Sequence, residues 1–301
     1  MVDLRTDTSS YARVSYLRNL HGDTDGAIEA MTVAAKAADP RDPEGIAWCR
    51  VQLGDELMNA GKRALAEREY DKALYAFPDY HVALAAKARA RVVAGDSEKA
   101  VELYQRALAR VPFPPDTAIA LGDLLTRLGR KEEAAEQYKL VEFVERAGAL
   151  EGTYSRQLAL FWADHEMKLE EALNIPQRER AARKDIYTCD TLAWCLFKKG
   201  RLAEAKTAID EALRLGTRDA HINYHAGIIA RALGDNRNAA RHLNLAFEIN
   251  PQLKEPGVRS SEFGVKTVGF NSELDLKHQT LTFNPFFNSE LRTPNSRLTS
   301  V

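Results

Sequence analysis

The chain has 301 residues, 45% of them hydrophobic and 28% charged, with a formal net charge of -1. That length is ample for a core, and the near-neutral mixture of acids and bases excludes a general electrostatic pull toward nucleic acid or an anionic membrane. The three cysteines, Cys49, Cys189 and Cys195, fit neither a disulfide framework nor a usual zinc pattern and point to a reducing compartment.

The first segment, MVDLRTDTSSYARVSYL, has no basic start followed by an apolar stretch, so no signal peptide is expected. No apolar run approaches the roughly 18 residues of a membrane-spanning helix, and a cytoplasmic location is expected by default. Helical periodicity begins almost at once, as it would in a fragment of a longer parent. A first unit is expected over about residues 8–45, ending in the loop-forming PRDPEG from Pro40 to Gly45.

Units then follow at about 47–80, 81–114 and 115–148, because Gly61, Gly95 and Gly129 stand 34 residues apart. Five residues behind each glycine stands an alanine: Ala66, Ala100 and Ala134. Tyr70, Tyr104 and Tyr138 keep the same step, as do Ala73 with Ala107 and Pro78 with Pro112. A tight turn between antiparallel helices needs a residue that tolerates positive φ, which glycine supplies. The alanines let helices approach closely, the tyrosines fill the space that small residues leave, and the prolines stop the second helix. In GDSEKAVELYQRALARVP, Ala100, Leu103, Tyr104, Ala107 and Leu108 follow helical spacing, with Glu98, Lys99 and Glu102 on the opposite, solvated face.

From Gly129 to Gly200 is 71 residues, two periods plus three, so a degenerate unit is expected over 149–185. Lys168 falls near its glycine place and Ala172 near its first-alanine place, and Pro176 is expected to kink its second helix or end it early. The marks return in units at 186–219 and 220–253, through Gly200, Ala205 and Ala212, then Gly234, Ala239, Ala246 and Pro251. Residues 254–301 contain no alanine and lack the repeat. They are expected to be an irregular tail, disordered or a small hairpin, with strand-like pieces at Val265–Val268 and Thr280–Phe283.

These anchors resemble the tetratricopeptide repeat, a helix-turn-helix of 34 residues. The match is close in Leu53-Gly54, Gly61, Ala66, Tyr70, Ala73 and Pro78, and again in Leu121-Gly122, Gly129, Ala134 and Tyr138. It returns in Gly227, Gly234, Ala239, Ala246 and Pro251. The resemblance implies an all-α fold, an α-solenoid of about seven helix-turn-helix units over 8–253 wound as a right-handed superhelix. It also implies a non-catalytic scaffold or adaptor that binds a protein, as a peptide or a partner helix, in a concave groove lined by the first helix of each unit. By place in the repeat, the groove positions are Arg13, Tyr16, Trp48, Gln52, Asp55, Arg89, Asp116, Asp123, Tyr187, Asp190, Trp194, His221, Tyr224 and Ile228. Tyr187, Trp194 and Tyr224, with His221, would anchor a partner, or Trp194 would pack as core between helices; Asp55, Asp116 and Asp123 of the middle units would favour a partner with some basic residues. The Lys, Asn and Arg clamp that such domains use to hold a chaperone's C-terminal carboxylate is absent, its places being Val51, Asp55, Ala86 and Ala120.

No chemistry competes with that reading. There is no glycine-rich phosphate loop, nucleophile elbow or H-E-x-x-H. Asp164, His165 and Glu166 are successive on a helix and point in different directions. His221 and His225 have metal-capable spacing with no third ligand in view. The carboxylate pairs Glu132-Glu133 and Glu170-Glu171 suit helix N-termini. No catalytic residue, cofactor or metal is expected, and no nucleic acid partner, since the groove places are aromatic and acidic rather than basic. The competing expectation is an accessory or regulatory domain of a larger enzyme or membrane-associated assembly.

Overall fold

In the computed structural model, which describes residues 7–110, 115–151 and 156–253, fourteen α-helices follow one another, with no strand among the described residues. They form hairpins. α1 (Thr8–Leu20) pairs with α2 (Thr24–Ala37), α3 (Pro43–Asn59) with α4 (Arg63–Ala76), and α5 (His81–Val93) with α6 (Ser97–Leu108). α7 (Pro115–Arg127) pairs with the long α8 (Lys131–Glu151), and α9 (Arg156–Asp164) with α10 (Leu169–Ala182). α11 (Ile186–Lys198) pairs with α12 (Leu202–Ala212) and α13 (Ala220–Ala232) with α14 (Asn236–Ile249), before a short 3-10 turn, Pro251–Leu253. The expected tail from 254, with its two strand-like pieces, lies outside the described residues.

Local chemistry sets the ends. Asp7, Asp23, Asp42, Asp185, Asp219 and Asp235 each accept a backbone N–H from the first turn of the helix that follows. Each hairpin turn then closes with the same bond, from a backbone N–H to the carbonyl five residues back: Asp23 to Arg18, Lys62 to Leu57, Asp96 to Arg91, Arg130 to Leu125, Met167 to Trp162, Arg201 to Leu196 and Asp235 to Ala230. The residue just before the donor must take positive φ. It is glycine in six turns, with φ between 71° and 80° at Gly22, Gly61, Gly95, Gly129, Gly200 and Gly234. In the degenerate hairpin it is Glu166, at φ 54°, and Lys168 takes φ 44° two residues on. Glu166 therefore occupies the glycine place, two residues before the Lys168 expected near it, because the turn is one residue longer than its siblings.

A second recurring device lies between the helices. A Cβ on Gly54 would fall inside the Tyr70 ring, and one on Gly122 would sit 2.5 Å from Tyr138 Cε1. The missing methyl lets each tyrosine lie across the first helix of its hairpin, so that its hydroxyl reaches the next residue. Tyr70 donates to Asp55 and Tyr138 to Asp123, both at 2.8 Å. In the intervening unit the same places hold Ala88 and Arg89, and the fully buried Tyr104 hydroxyl has no hydrogen-bond partner.

Pro176 does not end its helix: α10 runs through it to Ala182. A proline denies the carbonyl four residues back its helical bond. That carbonyl belongs to Ala172, and the thiol of Cys195 on the neighbouring α11 donates to it at 3.5 Å. A helix with one orphaned acceptor is kept whole by a donor from the next unit.

α1 touches α3, α3 touches α5, and α7, α9, α11 and α13 touch in succession, so the ribbon curves with these helices inside. Apolar burial is divided among three clusters along it. One gathers around Met31, Tyr70 and Ala83, one around Leu84, Tyr104 and Leu121, and one around Trp162, Trp194 and Ile229.

Two substitutions test this account. Gly54→Ala forces the Tyr70 ring off the helix and should lower unfolding free energy by about 1–3 kcal/mol, measured by urea denaturation. Cys195→Ala leaves the Ala172 carbonyl unsatisfied and should cost about 1–3 kcal/mol, whereas Cys195→Ser, which keeps a donor, should cost less.

The inner face and its closure

The ribbon bends until its two ends meet. The α1–α2 turn lies against the loop before α13, so closely that a Cβ on Gly22 would overlap the carbonyl oxygen of Gly216. One on Gly61, in the α3–α4 turn, would come within 3.8 Å of the Glu248 carbonyl oxygen on α14. The 3-10 turn after α14 touches α5. Between these ends lies a small cleft of about 50 Å³, with Asp55, Met58 and Arg89 from the early units facing Asp219, His221 and Ile249 from the last.

This closure fills the interior with polar side chains. Tyr187 projects from the first turn of α11. Tyr16, Glu56, Arg156 and Asp219, from α1, α3, α9 and the cap of α13, all lie close enough to act on its hydroxyl, and burial raises its pKa well above the ordinary range. The Arg156 guanidinium stands 5.3 Å over the Tyr187 ring and pairs with Asp185 at 3.1 Å. Glu56 accepts from Asn19 and, at 3.5 Å, from Ser15, both on α1. Burial pushes its carboxyl up to about 8, with the nearby Asp55 acting the same way. Burial also raises Asp116 to about 7 and Asp219 to about 6, and lowers His221 to about 3.

Along the inner face, an acid of one unit meets a donor of the next. Asp55 pairs with Arg89 at 3.1 Å, Asp123 with His165 at 3.1 Å and Asp190 with His225 at 2.8 Å. Asp164 accepts from the Trp194 indole at 2.7 Å. Two of the carboxylates expected to draw a basic partner, Asp55 and Asp123, are thus matched within the chain, as is the groove position Asp190.

The structure gathers the expected groove positions on the inward helices but does not leave them on an open groove. Asp55, Asp123, Asp190, Trp194, His221, Tyr224 and Ile228 are all buried, between 2% and 8% exposed. Trp194 packs between α9, α11 and α13, stacked at 4.1 Å on His225 and at 5.1 Å on Phe197. Tyr224 packs against Phe247. Trp48, Gln52, Arg89 and Tyr187 are half-buried, as are Tyr16 and Asp116, and Arg13 is exposed. His225 is committed to Asp190 and Trp194, and Asp164 and His165 turn to different partners. No group of three metal-ligating side chains converges among the described residues, and no described helix is long and apolar enough to cross a membrane. The sequence reading overlooked Glu56, Arg156 and Asp219. For Glu56 and Arg156 the one signal was charge on a first helix; Asp219 stands just before α13 as its cap.

A family model described as tetratricopeptide repeat matches residues 51–112, 85–149 and 191–253, together more than half of the chain. No curated protein matches the sequence. Among solved structures, a tetratricopeptide repeat protein from Parabacteroides merdae ATCC 43184 is similar at 20% identity, covering 85% of this chain and 95% of its own, with a TM-score of 0.43. The APC/C hetero-tetramer Cut9–Hcn1 is similar at 19% identity, over 85% of this chain and 50% of its own, with a TM-score of 0.47. YrrB, a repeat protein described as having an unusual peptide-binding site, is similar at 20% identity, over 74% of this chain and 94% of its own, with a TM-score of 0.30.

The buried carboxyls make stability depend on pH with a definite sign. Folded Glu56 and Asp116 keep protons, up to about 8 and about 7, that the unfolded chain releases near its ordinary values of 4.5 and 3.8. Stability therefore falls as pH rises through that range. His221 has the opposite sign, but only below its ordinary value of 6.5, where the unfolded chain would bind a proton. Between about pH 7 and 8 the carboxyls dominate, since the histidines titrate mainly below that range and the buried thiols mainly above it. Thermal unfolding should occur a few degrees lower (roughly 2–4 °C per kcal/mol) at the higher pH, and Glu56→Gln should remove most of that difference.

Proposed function

For a chain that belongs to the tetratricopeptide-repeat family, we propose a non-catalytic scaffold that takes a protein partner, as an extended peptide or a helix, along the inward face of its odd-numbered helices. Proteins of this family are generally non-catalytic and bind other proteins. The observation that carries the reading here is the chemistry of the inner face. Stability alone would fill it with apolar side chains, since buried charges rarely repay their desolvation. Instead it holds Tyr16, Glu56, Arg89, Arg156, Tyr187 and His221, with the half-buried Trp48 and Gln52 beside them. Tyrosine, tryptophan and arginine concentrated on one face are what protein interfaces favour. Half-buried aromatics can anchor a partner once the face is accessible, with the matched acid–base pairs providing rigidity beneath them.

The test is capture of partners by the full chain and by a Trp48→Ala, Tyr187→Ala double variant, after circular dichroism shows equal helicity. A partner bound by the parent, and at least tenfold more weakly by the variant, supports the inner face. Equal capture by both moves the site to the outer surface or to the residues beyond 253.

A further inference from the structure

We propose that the contact between the two ends of the ribbon is a latch: the closed form holds the inner face away from a partner, and parting of the ends exposes it. The inference rests on the inner-face reading for what the latch guards, but not for whether the latch exists.

The contact has the composition of something made to separate. The apolar cluster of the first units and that of the last units do not merge across it. Leu20, at the end of α1, is the one residue of α1 packed on the last units' cluster. Elsewhere backbone lies against backbone at Gly22 and Gly216, Gly61 approaches Glu248, the 3-10 turn touches α5, and polar side chains meet around Tyr187 beside a cleft of about 50 Å³. Asp55 Oδ2, beside that cleft, has no hydrogen-bond partner. In a solenoid each unit is stabilised by its neighbours in sequence, so the ends can part while every hairpin keeps its own contacts. A partner that needs the inner face binds only the open form, and its apparent affinity is lowered by the fraction of molecules that are closed.

The glycines supply a matched control. Gly22 and Gly129 sit in the same turn of their hairpins, at φ 74° and 75°. A Cβ meets the Gly216 carbonyl at the first and nothing within 4 Å at the second. Gly22→Ala and Gly129→Ala therefore carry the same backbone strain, and only the first disturbs the end contact. Nitroxide labels on Lys62→Cys and Glu248→Cys report the separation of the ends, since both positions are exposed and the three native cysteines are buried.

The expected result is one short distance in the parent and in Gly22-intact Gly129→Ala, with a longer population appearing in Gly22→Ala and in Leu20→Ser. The Leu20 variant decides if Gly22→Ala does not fold. Identical distances in all four proteins, or equal lengthening in Gly129→Ala, overturn the latch. The partner captured above should bind severalfold better to Gly22→Ala and be lost when a short bismaleimide joins the two engineered cysteines. Undiminished capture by the cross-linked protein overturns the guarding role. If neither parent nor opened variant captures anything, the scaffold reading fails, while the distances still decide the latch.

Discussion

A helix hairpin of this size has two apolar faces and can bury only one of them internally. The other must be covered by the next hairpin, which sets everything else in this structure. The small residues at the crossings, Ala66, Ala100, Ala205 and Ala239, keep successive hairpins close, and the turns all close with the same bond to the carbonyl five residues back. Stacking units of fixed shape through fixed contacts leaves one collective variable, the rotation between neighbours. Repeated along the ribbon, that rotation brings α1 and α3 up against α13 and α14.

This is why the sequence was so legible at short range and so silent at long range. The glycine, alanine and tyrosine marks report contacts within a hairpin or between adjacent ones, and each has a local cause. The degenerate unit shows where marks stop being reliable. Glu166 takes the glycine place by bearing a positive φ that glutamate rarely adopts, and a one-residue insertion moved the apparent place to Lys168. Pro176 looked like a stop because its carbonyl partner in α10 was visible and its rescuer, Cys195, was 19 residues away on another helix. The closure of the ends had no mark at all. It depends on small rotations summed over every unit, which no single residue encodes.

The groove positions illustrate the same limit. Trp194 and Tyr224 stand on the first helix of a unit, but a first helix also faces its neighbours on either side. Trp194 has Asp164 at its indole nitrogen and aromatic rings on its faces, so it fills the joint between units. Tyr187, two turns toward the N-terminus of the same helix, reaches past the joint into the interior. A difference of seven residues on one helix separates packing from the inner face, and it follows from where neighbouring helices end.

The polar interior then needs a reason that stability does not supply. Carboxyls such as Glu56 and Asp116 are held protonated near neutrality, a burial penalty that an apolar side chain would avoid. Polar groups on a permanently sealed surface would be a pure cost. On a surface that is sometimes wet, the same groups are hydrated whenever the ends part, and the penalty falls on the closed form alone. Burial cost and access are then one quantity: each poorly satisfied group at the seam lowers the free energy needed to separate the ends. The neighbour-to-neighbour packing keeps the separated ribbon folded. A ribbon built this way can stay closed alone and open when its inner face is bound, with no element of secondary structure having to unfold.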